Sequence, residues 1–344
     1  MTRGYRPPAW GIALALLCPL TGCSLDKMVA GNMAPVLRRT ADEFNRTPID
    51  RAAREAGPGL LATLEGIVAT APDNPELRLL QAELNAGFAF AFLDVPDPEW
   101  AEHHYRVAQR GALRACADED EDLADTLADS TGEALTAALA DADEDALPAL
   151  FWWAFARGAE INLHRNEPGE IAKLERVDAV MGWVLEREPG FFNGGPHLYM
   201  GIRMGLLPKS LGGNPEEAAS HFEAVDRITG GKHLLAQVLR AEFCAPHLAA
   251  TESGASIDQI RAAQRAAWDA FYGGLKAVLE APADLWPEQA LLNAVAKTRA
   301  RRLLADPEAY NIIVPEGVTN EFAPEDEESW EDGEDEWVED EQGE

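Results

Sequence analysis

The chain has 344 residues, and 60 Asp and Glu against 29 Lys and Arg give it a formal net charge of −31. This excess of acid argues against nucleic-acid partners, whose phosphates must be met by Lys and Arg, and against an electrostatic hold on anionic lipid. Apolar residues make up 47% of the chain, as in ordinary globular proteins, and the length suffices to bury a core without disulfides.

The N-terminal segment has the pattern of a secretory signal that ends at a lipidation site. Arg3 and Arg6 precede an uncharged apolar run at residues 9–20, which is shorter than the ~20 residues that a membrane-spanning helix needs. The run ends in Leu20-Thr21-Gly22-Cys23, which resembles a bacterial lipobox. An ordinary signal peptide that happens to flank a cysteine is the alternative interpretation.

The lipobox predicts that residues 1–22 are removed and that Cys23, carrying lipid such as palmitate, becomes the N-terminus. More than one acyl chain holds a protein stably on a membrane, so we expect a lipoprotein that faces the periplasm. Ser24, where an Asp would resemble an inner-membrane retention signal, favours the outer membrane. The two later cysteines, Cys116 and Cys244, form either a disulfide or two separately buried thiols.

The body of the chain is predicted to be helical, because Ala, Leu, Glu and Arg dominate long periodic stretches and strand patterns are scarce. Four helix starts repeat a capping residue, then Pro, then Glu. In each, the Asn or Asp oxygen accepts an orphan N–H, and Pro at the first helical position costs no hydrogen bond. The four starts are Asn74-Pro75-Glu76, Asp97-Pro98-Glu99, Asn214-Pro215-Glu216 and Asp306-Pro307-Glu308.

A second pattern indicates stacked helix pairs. In tetratricopeptide repeats the second helix carries small or apolar residues spaced by four and then three, and a Pro follows about five residues later. Five segments fit that spacing, the first, third and last with the Pro; they begin at Leu60, Ala101, Val177, Ala218 and Ala270. We therefore predict an all-α, TPR-like α-solenoid over residues 23–313, with an irregular helical bundle as the alternative.

Several segments, taken in order, resemble a known family. They are Leu150-Phe151-Trp152-Trp153-Ala154-Phe155-Ala156, Glu188-Pro189-Gly190-Phe191-Phe192-Asn193-Gly194-Gly195-Pro196-His197-Leu198, Leu207-Pro208-Lys209-Ser210-Leu211-Gly212-Gly213-Asn214-Pro215 and Leu291-Leu292-Asn293-Ala294-Val295-Ala296-Lys297. With the lipobox, they make the chain similar to the T-component (TatT-like) lipoproteins of tripartite ATP-independent periplasmic (TRAP) transporters. The acidic tail and the acidic run at residues 118–122 are not part of that family pattern.

The resemblance implies a helical, repeat-like lipoprotein that faces the periplasm and assists solute transport. It also implies a homotrimer around a central pore, the transporter's solute-binding subunit as partner, and a hydrophobic ligand. We expect a non-enzymatic scaffold that docks that subunit and binds a hydrophobic or organic-acid ligand. The alternatives are a TPR-type adaptor in envelope or outer-membrane protein assembly, and a hydrolase acting on envelope polymers.

Candidate ligand-binding residues lie in three of these segments. The aromatics at residues 151–155, including Trp152 and Trp153, predict either a cavity wall or subunit interface, or core between repeats. The glycine-rich segment 190–195 predicts either the rim of a ligand opening, with Asn193, His197 and Tyr199, or a tight connector. Lys209 precedes a helix start and either binds a carboxylate there or marks a corner between repeats.

Catalytic, metal and cofactor motifs are not recognised in the sequence, so none of those functions is predicted. His103 and His104 are adjacent and therefore do not share a helix face, and no Gly-x-Ser-x-Gly motif is present. Residues 314–344 are predicted to form a disordered acidic tail, in which Trp330 and Trp337 offer contacts to a partner or to the body.

Overall fold

The computed structural model describes residues 22–129, 132–206, 213–251 and 253–323, and within these ranges the chain forms helices and no β-strand. The all-helical prediction is thereby confirmed. The α-helices are α1 (Gly22–Gly31), α2 (Ala34–Asn45), α3 (Asp50–Thr70), α4 (Pro75–Phe92), α5 (Pro98–Glu119), α6 (Glu121–Asp129), α7 (Glu133–Asp141), α8 (Leu147–Leu163), α9 (Pro168–Ile171), α10 (Leu174–Arg187), α11 (Phe191–Gly205), α12 (Pro215–Thr229), α13 (Leu234–Cys244), α14 (Ile257–Glu280) and α15 (Ala290–Ala305). Cys23 lies in the first turn of α1, and the signal segment before Gly22 lies outside the described residues.

Three of the four predicted helix starts open long helices with the expected cap. Asn74, Asp97 and Asn214 each accept the backbone N–H three residues later, at 2.9, 3.1 and 3.3 Å. A side-chain cap of this kind stabilises a helix by ~1 kcal/mol. Asp306 also accepts such a bond, at 3.3 Å, but the segment after it makes only a short 3₁₀ turn.

The apolar spacing identified the buried face of three helices and missed that of two by one residue. The triplets that begin at Ala101, Val177 and Ala218 are fully buried. In α3 the middle position, Leu64, is buried as predicted, but Leu61 and Val68 are buried in place of the two flanking positions. In α14 all three buried positions lie one residue later, at Phe271, Leu275 and Val278. Neighbouring residues are separated by only 100° around a helix, so the same apolar sequence can fit the four-and-three spacing on two faces that differ by one residue. The solenoid arrangement itself stays a prediction.

The helices build two hydrophobic clusters. The first is formed mainly by α4–α8 and α10, with Tyr105 and Phe151 fully buried in it, and the second by α12–α15 around Phe222 and Phe271. Helix α11 packs against both clusters, and so does Phe90 of α4. The boundary between the clusters is therefore covered by α4 and α11, and a cavity lies there.

Both later cysteines are free. Cys116 is buried, and burial raises the pKa of its thiol to about 12, whereas Cys244 is half-buried with a pKa raised to about 11 by burial. Two separate thiols are thus found instead of a disulfide, although Cys244 is less buried than expected. A thiolate is the reactive form, so these raised pKa values make both cysteines poor nucleophiles.

The packed part of the chain continues past Val314, where the acidic tail was expected to begin. Val314, Val318 and Phe322 pack against the second cluster. Glu321 accepts hydrogen bonds from the Tyr272 hydroxyl at 2.8 Å and from the Lys276 ammonium at 3.1 Å. Residues 324–344, with Trp330 and Trp337, lie outside the described residues.

Candidate functional site

A cavity of about 290 Å³ lies at the boundary between the two hydrophobic clusters, and we call it the apolar chamber. Aromatic side chains from α4 and α8 form much of its wall: Phe88, Phe90, Phe92, Phe151, Trp152 and Phe155. Leu235 and Leu239 of α13 and Leu291 and Val295 of α15 line it from the second half of the chain. A mostly apolar cavity of this size with a few polar groups is the usual form of a small-molecule site.

The α4 wall comes from three phenylalanines at alternate positions. Phe88 and Phe92 are four residues apart, and their ring centroids lie 5.4 Å from each other. Phe90 lies on another part of the helix surface, with its ring 5.5 Å from that of Phe155. Sequence reasoning missed this wall. The signal was present, because three aromatics in five residues predict a helix that is apolar over much of its circumference.

The aromatic run of α8 divides between the chamber and the core. Trp152 and Phe155 line the apolar chamber, with ring centroids 5.6 Å apart. Trp153 is buried away from the chamber, and the Arg176 guanidinium lies 5.6 Å from its ring centroid. Both interpretations of the run therefore hold, each for different residues: Trp152 is cavity wall and Trp153 is core.

The glycine-rich segment forms a kink at the start of α11. Three successive residues have positive φ: Phe192 at 45°, Asn193 at 60° and Gly194 at 86°. A left-handed backbone costs an L-residue roughly 1–2 kcal/mol, so only Gly194 adopts it freely. The kink directs the Phe192 ring onto Trp152, at 4.7 Å between centroids, and places Asn193 in the chamber wall.

The structure brings three of the six candidate ligand-binding residues to the apolar chamber. Trp152, Asn193 and Tyr199 line it. His197 does not, since its Nδ1 lies 2.9 Å from Nδ1 of His221 in a half-buried pair outside the chamber lining. Trp153 is in the core, as described above, and Lys209 lies outside the described residues.

One group of polar side chains in the wall is already hydrogen-bonded. The Tyr199 hydroxyl donates to Asp178 at 2.5 Å, and the Arg203 guanidinium lies 3.1 Å from the same carboxylate. Burial, and then the charge of Asp178, raises the pKa of Tyr199 well above its ordinary value. Tyr199 and Arg203 therefore offer the chamber a fixed polar edge, and the raised pKa keeps the Tyr199 hydroxyl protonated at neutral pH.

A second polar group lies where α4 meets α15. Burial raises the pKa of Asp94 to about 6, even though the Tyr105 hydroxyl donates a 2.5 Å hydrogen bond to it and Arg299 and Arg302 lie nearby. Arg299 donates to Glu242 at 3.0 and 3.1 Å. Sequence reasoning could not find this group, because it joins residues 94 and 299 only through the tertiary fold.

The apolar chamber is thus equipped for binding. Its apolar wall excludes water from a hydrophobic molecule, and its few polar groups fix the orientation of that molecule.

Over the described ranges, no group of three or more His, Cys, Asp or Glu is placed to hold a metal ion. Nor does any helix in those ranges have the length and apolar character needed to cross a membrane.

A family model described as TRAP transporter T-component matches residues 51–310, which is well over half of the chain. The matched span runs from α3 to the end of α15 and so includes most of the chamber wall. No curated protein sequence matches the chain.

Proposed function

The chain belongs to the TRAP transporter T-component family, and on that premise we propose that it is a lipid-anchored periplasmic scaffold that holds a hydrophobic or organic-acid ligand for the transporter. Membership of the family gives the chain a role in TRAP transporter function. The observation that carries the ligand-binding part is the apolar chamber, walled by aromatic and aliphatic side chains from both hydrophobic clusters.

The anchor in this proposal is Cys23. Its support is the lipobox that ends at Cys23 and the basic and apolar signal pattern before it. We place the lipidated chain on the periplasmic face of a membrane, the outer one by virtue of Ser24. Labelled palmitate should appear on Cys23 and be absent from a Cys23→Ser variant, and globomycin should block maturation; an unlabelled, soluble mature chain contradicts the anchor.

The ligand in this proposal contacts Trp152, Asn193 and Tyr199 in the apolar chamber. Trp152 supplies a large apolar surface that is buried in the wall, and Asn193 supplies an amide. The Tyr199 hydroxyl is held by Asp178, so its ring faces a ligand in a fixed position. Burial of a hydrocarbon chain here contributes about 0.8 kcal/mol for each CH₂ group.

The scaffold in this proposal is a set of degenerate TPR-like helix pairs. Support comes from the three helices that bury their predicted triplets and from the prolines that follow α3, α10 and α14. Such arrays use extended surfaces to bind partners. The partner proposed here is the transporter's solute-binding subunit, and a homotrimer is the assembly that the family resemblance implies.

A pull-down from the periplasm tests the docking part of the proposal. The lipidated chain is one bait. The second is a chain of residues 24–344 exported behind a signal that is cleaved without lipidation, because it separates docking from co-purification with membrane. Recovery of a TRAP solute-binding subunit with both baits supports the proposal. Consistent recovery of envelope-assembly proteins instead supports the adaptor function and contradicts docking to the transporter.

A further inference from the structure

A second cavity, of about 280 Å³, lies beside the apolar chamber and shares part of its wall. The residues common to both linings come from α4, its C-terminal end, α13 and α15, and include Phe90, Phe92, Asp94, Leu235, Val295 and Arg299. We call this cavity the arginine compartment, because four arginines line it: Arg51, Arg54, Arg299 and Arg302. Its acidic lining residues are Asp50 and Asp94.

The arginine compartment has a local excess of positive charge in a strongly acidic chain. Four arginines face two aspartates there, whereas the whole chain carries −31. Arg51 and Arg299 are each paired with a glutamate. Arg54 and Arg302 are exposed, and neither side chain has a hydrogen bond or ion pair within the described part of the chain, although the charge of Arg302 acts on Asp94. The two guanidiniums that line this cavity therefore have donors to offer an anion.

The two charged residues that line both cavities, Asp94 and Arg299, are already hydrogen-bonded. Asp94 accepts the Tyr105 hydrogen bond, and Arg299 is held by Glu242. A negative group placed in the apolar chamber would lose its hydration and meet Glu83 and Asp94. Arg203 and Arg299 are already paired there, so within the described part of the chain the chamber offers it one guanidinium without a side-chain partner, that of Arg165. In the arginine compartment the same group also meets Asp50 and Asp94, but it gains two guanidiniums without a side-chain partner, those of Arg54 and Arg302. Their planar forks match a carboxylate.

We propose that a single amphiphilic anion occupies both cavities, with its hydrocarbon chain in the apolar chamber and its carboxylate against Arg54 and Arg302. The inference rests on the proposed function, because it requires that the apolar chamber hold a ligand. It specifies the chemical class of that ligand, an amphiphilic anion, and its orientation across the two cavities. A neutral hydrocarbon compound uses only half of the site, and a small organic acid uses only the other half.

Calorimetric titration of the mature chain with decanoate, decan-1-ol and acetate tests this assignment. Decanoate and decan-1-ol share a chain and differ in the head group, while acetate is the head group alone. We expect decanoate to bind at least tenfold more tightly than decan-1-ol, since a hydrogen bond to a charged group contributes at least that factor. Acetate should bind far more weakly than either of these compounds.

Two double variants locate the effect. Arg54→Ala with Arg302→Ala should bring decanoate affinity down at least tenfold, to the level of decan-1-ol, and leave decan-1-ol affinity unchanged. Arg110→Ala with Arg114→Ala is the matched control, because it also removes two exposed arginines whose side chains have no hydrogen bond or ion pair within the described part of the chain, and neither lines the apolar chamber or the arginine compartment. The control should bind decanoate as the unaltered chain does, and thermal melts should show all variants folded.

Other outcomes overturn the inference in ways that can be told apart. Equal binding of decanoate and decan-1-ol removes the carboxylate site and leaves the apolar chamber as a neutral-ligand site. If acetate binds as tightly as decanoate, the arginine compartment is a site for small anions and the hydrocarbon chain contributes nothing to binding. Equal loss in both double variants shows a non-specific charge effect. Binding of none of the three compounds contradicts the ligand chamber of the proposed function as well.

Discussion

The contact between Gly195 and Phe151 gives the sharpest test of the packing around the α11 kink. A Cβ added at Gly195 would lie 2.6 Å from Cζ and 2.8 Å from Cε2 of Phe151, about an ångström inside ordinary contact. Phe151 is 1% exposed, and its ring lies within about 6 Å of four other rings. They belong to Trp152, Phe155, Phe191 and Phe192. The Phe151 ring therefore cannot move without displacing the chamber wall.

Gly195→Ala is expected to lower the free energy of unfolding by about 1 to 3 kcal/mol, the usual cost of overpacking a well-packed core. Removing a glycine from a helix recovers up to about 1 kcal/mol, so the steric cost must exceed that gain. For a chain of this size the melting temperature should fall by about 2 °C for each kcal/mol. Urea unfolding followed by circular dichroism, with calorimetry for the melting temperature, measures both quantities.

Gly190→Ala is the control for this substitution. Gly190 has a φ of −85°, and a Cβ there meets nothing within 4 Å, so stability should be unchanged or slightly higher. Phe151→Leu combined with Gly195→Ala should cost less than the sum of the two single changes, because a smaller side chain makes room for the methyl group. If Gly195→Ala is as stable as Gly190→Ala, the close packing of α11 on α8 is refuted.

Two further predictions concern buried polar groups. Glu160→Gln should cost about 3 kcal/mol at pH 7, because the buried carboxylate binds Arg106, Gln109 and Arg157. Burial raises the Glu160 pKa, but the effect of these partners is larger, so the pKa lies below its ordinary value. The contribution is therefore present above about pH 4.3 and lost as the pH falls through the folded-state pKa; a cost in urea unfolding that does not decrease on acidification below pH 4.3 contradicts this. Burial lowers the His233 pKa to about 4, so the unfolded chain takes up the proton first and stability should fall by up to about 3 kcal/mol between pH 6.5 and pH 4. His233→Asn keeps a helix cap in place and should flatten that pH profile; an unchanged slope refutes the assignment.

Helix starts were predictable because each is decided by neighbouring residues. Asn74, Asp97 and Asn214 cap their helices as local rules require. The buried faces of α3 and α14 could not be predicted to the residue, because four-and-three spacing fits two helix faces that differ by one residue. Which of them turns inward depends on the helices that pack there, and these are distant in the sequence.

The chamber was predictable in its aromatic content and not in its assembly. The run around Trp152 indicated a cavity wall as one of two interpretations, and the structure uses both. The left-handed backbone of Phe192 carries no sequence signal, since phenylalanine rarely adopts it, although Gly194 and Gly195 mark the place. Asp94 and Arg299 come together only because α4 and α15 line the same cavities.

The apolar chamber is tested most directly by filling it. Gly87 on α4 lines the chamber, and a Cβ there meets nothing within 4 Å, so we expect Gly87→Leu to occupy part of the cavity. Gly66→Leu is the matched control on α3, since Gly66 is also helical and open but does not line the chamber. Both substitutions remove a helical glycine and should raise stability by up to about 1 kcal/mol.

Fluorescence titration with N-phenyl-1-naphthylamine, a neutral apolar dye, is the deciding measurement. The unaltered chain and Gly66→Leu should bind the dye saturably with the same affinity. Gly87→Leu should bind it at least tenfold more weakly while melting at the same or a higher temperature. Undiminished dye binding by Gly87→Leu would contradict the claim that this cavity is the ligand chamber of the protein.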